Sequence, residues 1–168
     1  MEDSRGSRGQ EGCAEVQGSQ AVYLPAGQGP ALQVLSQIIV FKMRAEASSY
    51  TLLESIDQPH SGPPPHIHHT QDEAFYILEG QYEFLCGEEN ITAGPGSFVH
   101  IPKNTVHTLQ NIGDSPARAL VLLTPPGPLE RFFEEVGDPV TGSTTPTAPT
   151  SPPDIDKLMA SARRNQME

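Results

Sequence analysis

The sequence predicts an all-β domain, a small sandwich or barrel of antiparallel sheets, on three observations. Seventeen Pro and fifteen Gly among 168 residues favour frequent turns over long helices. The apolar segments are short, and several alternate apolar and polar side chains with the period of two of a pleated strand. Gly87, Gly94-Pro95-Gly96, Pro102, Gly113 and Pro116 punctuate them at strand-length intervals. A mass of 18.1 kDa holds one domain with its own core and is too small for two ordinary ones.

Residues 1–20, rich in Gly, Ser, Gln and Glu, bury too little to offset backbone ordering and read as a disordered N-terminal arm. Residues 21–137 read as the sheet domain with a short docked helix. Within it, AVYLP and LQVLSQIIVF between residues 22 and 41 predict early strands, and SYTLLES, residues 49–55, predicts another. Pro63, Pro64 and Pro65 remove three backbone donors, so the ladder resumes only near His66. EAFYILEG, turning at Glu79-Gly80 into QYEFLC, predicts a hairpin in which Tyr82, Phe84 and Cys86 share one face. Short strands then fit residues 90–93, 97–101, 107–111 and 118–123. Leu129, Phe132, Phe133 and Val136 fall on one face of a helix stopped by Gly137. Residues 138–153 form a Pro/Ser/Thr-rich strap without periodicity. Residues 154–168 predict a C-terminal helix capped by Asp154, with Ile155, Leu158, Met159 and Ala162 turned inward and Arg163 and Arg164 suiting its C-terminal dipole.

The formal charge of -11 and pI near 4.8 offer no basic footprint for a phosphate backbone, so no nucleic-acid partner is expected. Ile38 to Phe41 is far short of a membrane span, and the first residues lack the apolar core of a secretory signal. A cytoplasmic protein without a membrane partner is the expectation. Cys13 and Cys86 do not make a disulfide framework, and Cys86 reads as a small buried residue.

Chemistry concentrates between residues 60 and 73, which hold His60, His66, His68, His69 and Glu73. In an extended segment the imidazoles of His66 and His68 point the same way and that of His69 points oppositely. Glu73 leads a strand in phase with Phe75 and Ile77, so its carboxylate faces the same interior. His107, opening a strand in phase with Leu109, is the natural fourth ligand. His69 and His100 are expected to support the site from outside or to face solvent, and His60 to face solvent. Three imidazoles and one carboxylate suit Fe(II), Mn(II), Ni(II), Co(II) or Zn(II), one divalent transition metal per chain, without choosing among them.

The spacing G62-x3-H66-x-H68-x4-E73-x6-G80, with the later block GEENITAGPGSFVHIPKNTVHTLQN, resembles the two motifs of the cupin superfamily over about residues 35–125. The resemblance implies a double-stranded β-helix, a jelly-roll barrel with the short C-terminal helices packed on it, and His66, His68, Glu73 and His107 as its metal ligands. The run GPPPHIHHxxDEAFYILEGxxxF is similar to small cupins of the quercetin 2,3-dioxygenase type. That implies a dioxygenase acting on a phenolic or enolic small molecule, with Glu73 as both ligand and base. Phe75, Tyr82, Phe84, Phe132 and Phe133 could wall a flat organic ligand, although ordinary core is the stronger reading for each. An isomerase, cyclase or decarboxylase that uses no O2, and a non-catalytic binding module, stay open beside it. Uncovered sheet edges and the apolar segment near residues 22–41 suggest a homodimer.

Overall fold

In the computed structural model, which describes residues 21–140, 147 and 152–168, the turn residues cut the chain into short strands. These are β1 (Ala31–Val34), β2 (Gln37–Met43), β3 (Thr51–Asp57), β4 (Asp72–Glu79) and β5 (Tyr82–Cys86). They continue as β6 (Glu89–Ala93), β7 (Phe98–Ile101), β8 (His107–Asn111) and β9 (Ala117–Thr124). Helix α1 (Pro128–Val136), the two-residue β10 (Asp138–Pro139) and helix α2 (Ile155–Arg164) follow. The N-terminal arm and most of the strap lie outside the described residues.

The strands form two sheets, one of seven in the order β10-β1-β2-β3-β9-β4-β7 and one of three in the order β6-β5-β8. The closed jelly-roll barrel expected from the motifs is therefore corrected to two open sheets. The segment that would have to close them, residues 58–71, makes only an isolated bridge to His107 from His66 and one to Met167 from His68. Three consecutive prolines just before His66 supply no ladder donors there.

A second correction concerns the predicted hairpin. β4 pairs with β7 and β9, whereas β5 pairs with β6 and β8, so Glu79-Gly80 carries the chain from one sheet to the other. Gly80 has φ +81°, and a Cβ there would lie 2.4 Å from the Ala117 Cβ, so both conformation and space select glycine at the corner. The two sheets meet through their inner faces, where Phe75 and Phe84 pack at 5.1 Å between ring centroids. The alternating pattern did identify the inward residues: Tyr82 and Phe84 are fully buried and Glu83 and Leu85 exposed.

β2 departs from alternation. Ile39 and Phe41 join the main core, while Ile38 and Val40 join Ile56 in a smaller cluster on the other face. Burial on both faces is what a continuous apolar run encodes. Residues 22–24, read as strand, are exposed and form none.

Helix α1 starts at Pro128, with no side-chain cap from Gly127. Gln71 takes that role from a distance: its Oε1 accepts from Leu129 N at 3.1 Å and its Nε2 donates to Pro125 O at 2.7 Å. Glu130, buried, accepts from Ala45 N at 2.9 Å and from the Thr51 hydroxyl. These contacts fix α1 against the large sheet at the start of β3. As expected, Asp154 caps α2, accepting from Lys157 N at 2.9 Å.

Candidate metal centre

His66 and His68 stand on the extended segment after the proline run, Glu73 near the start of β4, and His107 at the start of β8. The first contact between them is made by backbone. His66 N donates to His107 O and His107 N to His66 O, each at 2.9 Å, so two candidate ligands form one antiparallel pair that ties the segment before β4 to the start of β8. Gly62 allows the approach, since a Cβ there would lie 1.8 Å from Leu109 O. Glu73 is held between Ile101 of β7 and Leu123 of β9.

These elements bring ligand atoms of His66, His68, Glu73 and His107 within 4.8 Å of one another. His107 Nε2 lies 3.1 Å and His68 Nε2 3.4 Å from Glu73 Oε2. His66 Nδ1 meets Pro64 O and His107 Nδ1 meets Thr105 O, both at 2.9 Å. A carbonyl only accepts, so each Nδ1 carries the proton and each Nε2 is left with a lone pair for the cluster. His68 is 2% exposed, and neither of its ring nitrogens has a hydrogen-bond partner.

Electrostatics point the same way. Burial, the largest effect, together with the neighbouring imidazoles pushes His66 down to about 4, against the pull of Glu73, so it is neutral at neutral pH. Burial would raise Glu73, but contact with His107 and the nearby imidazoles hold it well below the usual carboxylate range. Burial would lower His107, and its contact with Glu73 carries it upward instead. An ionised carboxylate facing imidazole lone pairs needs a positive charge among them, either a proton or a cation. His68, with no hydrogen-bond partner on either ring nitrogen, offers the cluster one further lone pair. The residues present therefore fit one divalent ion held by three imidazoles and one carboxylate.

A cavity of about 440 Å³ opens onto this cluster. His66 and Glu73 line it, whereas His68 and His107 sit behind. Among the aromatic residues expected to wall a ligand, Phe75, Phe132 and Phe133 line the cavity. Tyr82 and Phe84 do not; they are buried between the sheets, and Tyr82 donates to Asp57 Oδ2 at 2.5 Å. His69, exposed, meets Asn104 Oδ1 at 3.2 Å, His60 meets Asp114 at the surface, and His100 is exposed. Sequence reasoning missed the cavity residues Gln37 and Ser55 and the last residues, Met167 and Glu168. For Met167 a signal existed in the apolar spacing from Leu158 and Met159, but the helical period ends before it. Among the described residues no helix is long and apolar enough to cross a membrane.

Comparison with known proteins places these observations in a family. Residues 54–123 match the cupin domain. Quercetin 2,3-dioxygenase of Bacillus subtilis is 31% identical over 134 residues, covering 79% of this chain and 39% of that protein. An uncharacterised protein of Methanocaldococcus jannaschii is 36% identical over 61 residues, 36% of this chain and 49% of that one. The chain thus spans half or less of the length of both relatives. Among solved structures, a predicted oxalate decarboxylase of Thermotoga maritima superposes with a TM-score of 0.57 at 17% identity, over 62% of this chain and 99% of that one. The Cnp3 cupin domain of Schizosaccharomyces pombe gives 0.51 at 18% identity, over 64% and 76%. At such identities the superpositions speak for fold alone. With the two spaced motifs, the paired sheets and the domain match in agreement, the chain belongs to the cupin superfamily and is distantly related to quercetin 2,3-dioxygenase.

Proposed function

We propose that the protein is a metal-dependent dioxygenase acting on a phenolic or enolic small molecule. The observation that carries this reading is the position of Glu73, which belongs to the three-His, one-Glu cluster and also lines an apolar cavity. His66, His68, Glu73 and His107 would hold the ion. When bound, it supplies Lewis acidity, lowering the pKa of a substrate hydroxyl and making dioxygen chemistry accessible.

The chain's own residues do the rest. His68 and His107, behind the cavity lining, serve only to hold. The cavity side is left to His66 and Glu73, so a substrate oxygen approaches there. Glu73 Oε2 is engaged by the imidazoles, while a carboxylate has a second oxygen able to take a hydroxyl proton. Phe75 and Leu109 wall the site with hydrocarbon and exclude water from the reacting atoms. The sequence relationship to a quercetin 2,3-dioxygenase supports this direction.

Glu73→Gln keeps the size and one oxygen donor and removes the base. The variant is expected to retain most of its metal and to lose oxygen uptake on a flavonol and diketone panel by about a hundredfold or more, the worth of a placed base. Wild-type turnover by metal-loaded Glu73→Gln would overturn the base role. Turnover of the same compounds under anaerobic conditions would overturn the dioxygenase reading itself.

A further inference from the structure

Helix α2 carries Ile155, Leu158, Met159 and Ala162 on one stripe, yet Ile155 is 58% and Met159 42% exposed. An amphipathic helix ordinarily buries such a stripe in core. Here all four side chains line the cavity over the cluster, so the stripe looks into open volume. Other residues of the helix tie it to α1. Ser161 Oγ and Arg164 Nη2 each donate to Glu135 Oε2 at 2.6 Å, and Arg131 Nε donates to Asn165 Oδ1 at 3.2 Å.

The chain beyond the helix returns to the candidate ligands. Ile67 N donates to Glu168 O at 2.8 Å and His69 N to Gln166 O at 3.0 Å, while Met167, only 4% exposed, lines the cavity. Wall and ligand segment are joined by backbone, which fixes the distance between them. The charge on the lining is one-sided. Among the described residues, Glu73 and Glu168 are its acidic residues, and no Lys or Arg lines it. A doubly anionic substrate would meet carboxylates and no fixed protein cation.

We propose that residues 155–167 are the specificity-determining wall of this site, selecting an uncharged substrate with an elongated apolar body. The oxygen end lies toward Glu73 and the body along Leu158, Met159 and Met167. The proposal rests on reading the cluster as the place where substrate binds. It narrows the substrate class and disfavours small dianions.

The test is calorimetric titration of the metal-loaded full chain with 4-alkylphenols from methyl to hexyl, and with oxalate as competitor. Affinity is expected to rise roughly three- to fourfold per added methylene, the worth of burying each one. Oxalate should not displace 4-hexylphenol. Leu158→Trp, which fills the wall, should weaken 4-hexylphenol about tenfold or more while changing 4-methylphenol little, since tenfold corresponds to losing about two buried methylenes. Met159→Ala, at a half-exposed position that does not threaten folding, should flatten the same series. Affinity independent of chain length, equal losses for both phenols, or displacement by oxalate would overturn the wall. Length-dependent binding with no oxygen uptake on the flavonol and diketone panel keeps the wall and overturns the dioxygenase reading. Oxygen uptake with length-independent affinity does the reverse.

Discussion

Two carboxylates are buried to almost the same degree, Glu73 at the metal cluster and Asp57 at the end of β3, and their surroundings push them in opposite directions. Glu73 faces imidazoles, whose contacts and charges overcome burial and hold it below its ordinary range. Asp57 faces neutral donors: the Tyr82 hydroxyl, the Ser55 hydroxyl at 3.0 Å and the Gln37 amide. Burial wins there, and the Asp57 pKa is raised. Around Asp57 the three neutral donors do not offset burial, whereas around Glu73 the contacts and charges of the imidazoles do. The cluster is the place built for a cation, and Asp57 a place built for cohesion between the sheets.

The largest effect that would break this contrast is loss of the cation site. Protein purified without chelator is expected to carry close to one transition metal per chain, and the His66→Ala, His107→Ala double variant none, by elemental analysis. Undiminished metal in that variant would remove the cluster from consideration.

At the Asp57 end, Tyr82→Phe deletes one donor and leaves the carboxylate less satisfied. Denaturant unfolding should show a loss of about 1–3 kcal/mol with metal content unchanged. Equal stability would mean that Asp57 does not need the phenol.

The third effect is a pH limb. Because the folded-state pKa of Asp57 lies above its ordinary 3.8, the folded protein holds that proton more tightly. Its contribution is complete below about 3.8 and is lost as pH rises through the folded value. Wild-type stability should carry this falling component, and Asp57→Asn should lack it when the two unfolding profiles are subtracted. A difference profile rising with pH would reverse the assignment.

The smallest effect concerns the cavity wall. Asp154→Ala removes the α2 cap and should cost about 1 kcal/mol, with amide exchange accelerated in α2 and unchanged in β4.

These contrasts also explain what could be read from the chain. His66, His68 and Glu73 were legible because strand period fixes which side chains share a face over a few residues, and no long-range information is needed. His107 was legible because it opens a strand after a turn with its phase set by Leu109. Asp57 was not: it stands in IDQPH like an ordinary turn residue, and two of its partners are 20 and 25 residues away. The hairpin at Glu79-Gly80 failed for the same reason. Alternation gives the faces of β4 and β5 correctly but says nothing about which strand lies alongside, and that choice was made by residues 98–101 and 107–111. Barrel closure is likewise a matter of edge pairing, to which the proline run contributes no donors.

The reciprocal backbone pair between His66 and His107 has a kinetic consequence. Amide hydrogens at these two positions can exchange with solvent only when that backbone pair parts, and the same parting would pull two imidazoles away from a bound ion. Exchange at His66 and His107 thus clocks the opening that releases metal, and loading should slow it there in proportion to ion occupancy while leaving the outer strand β6 untouched.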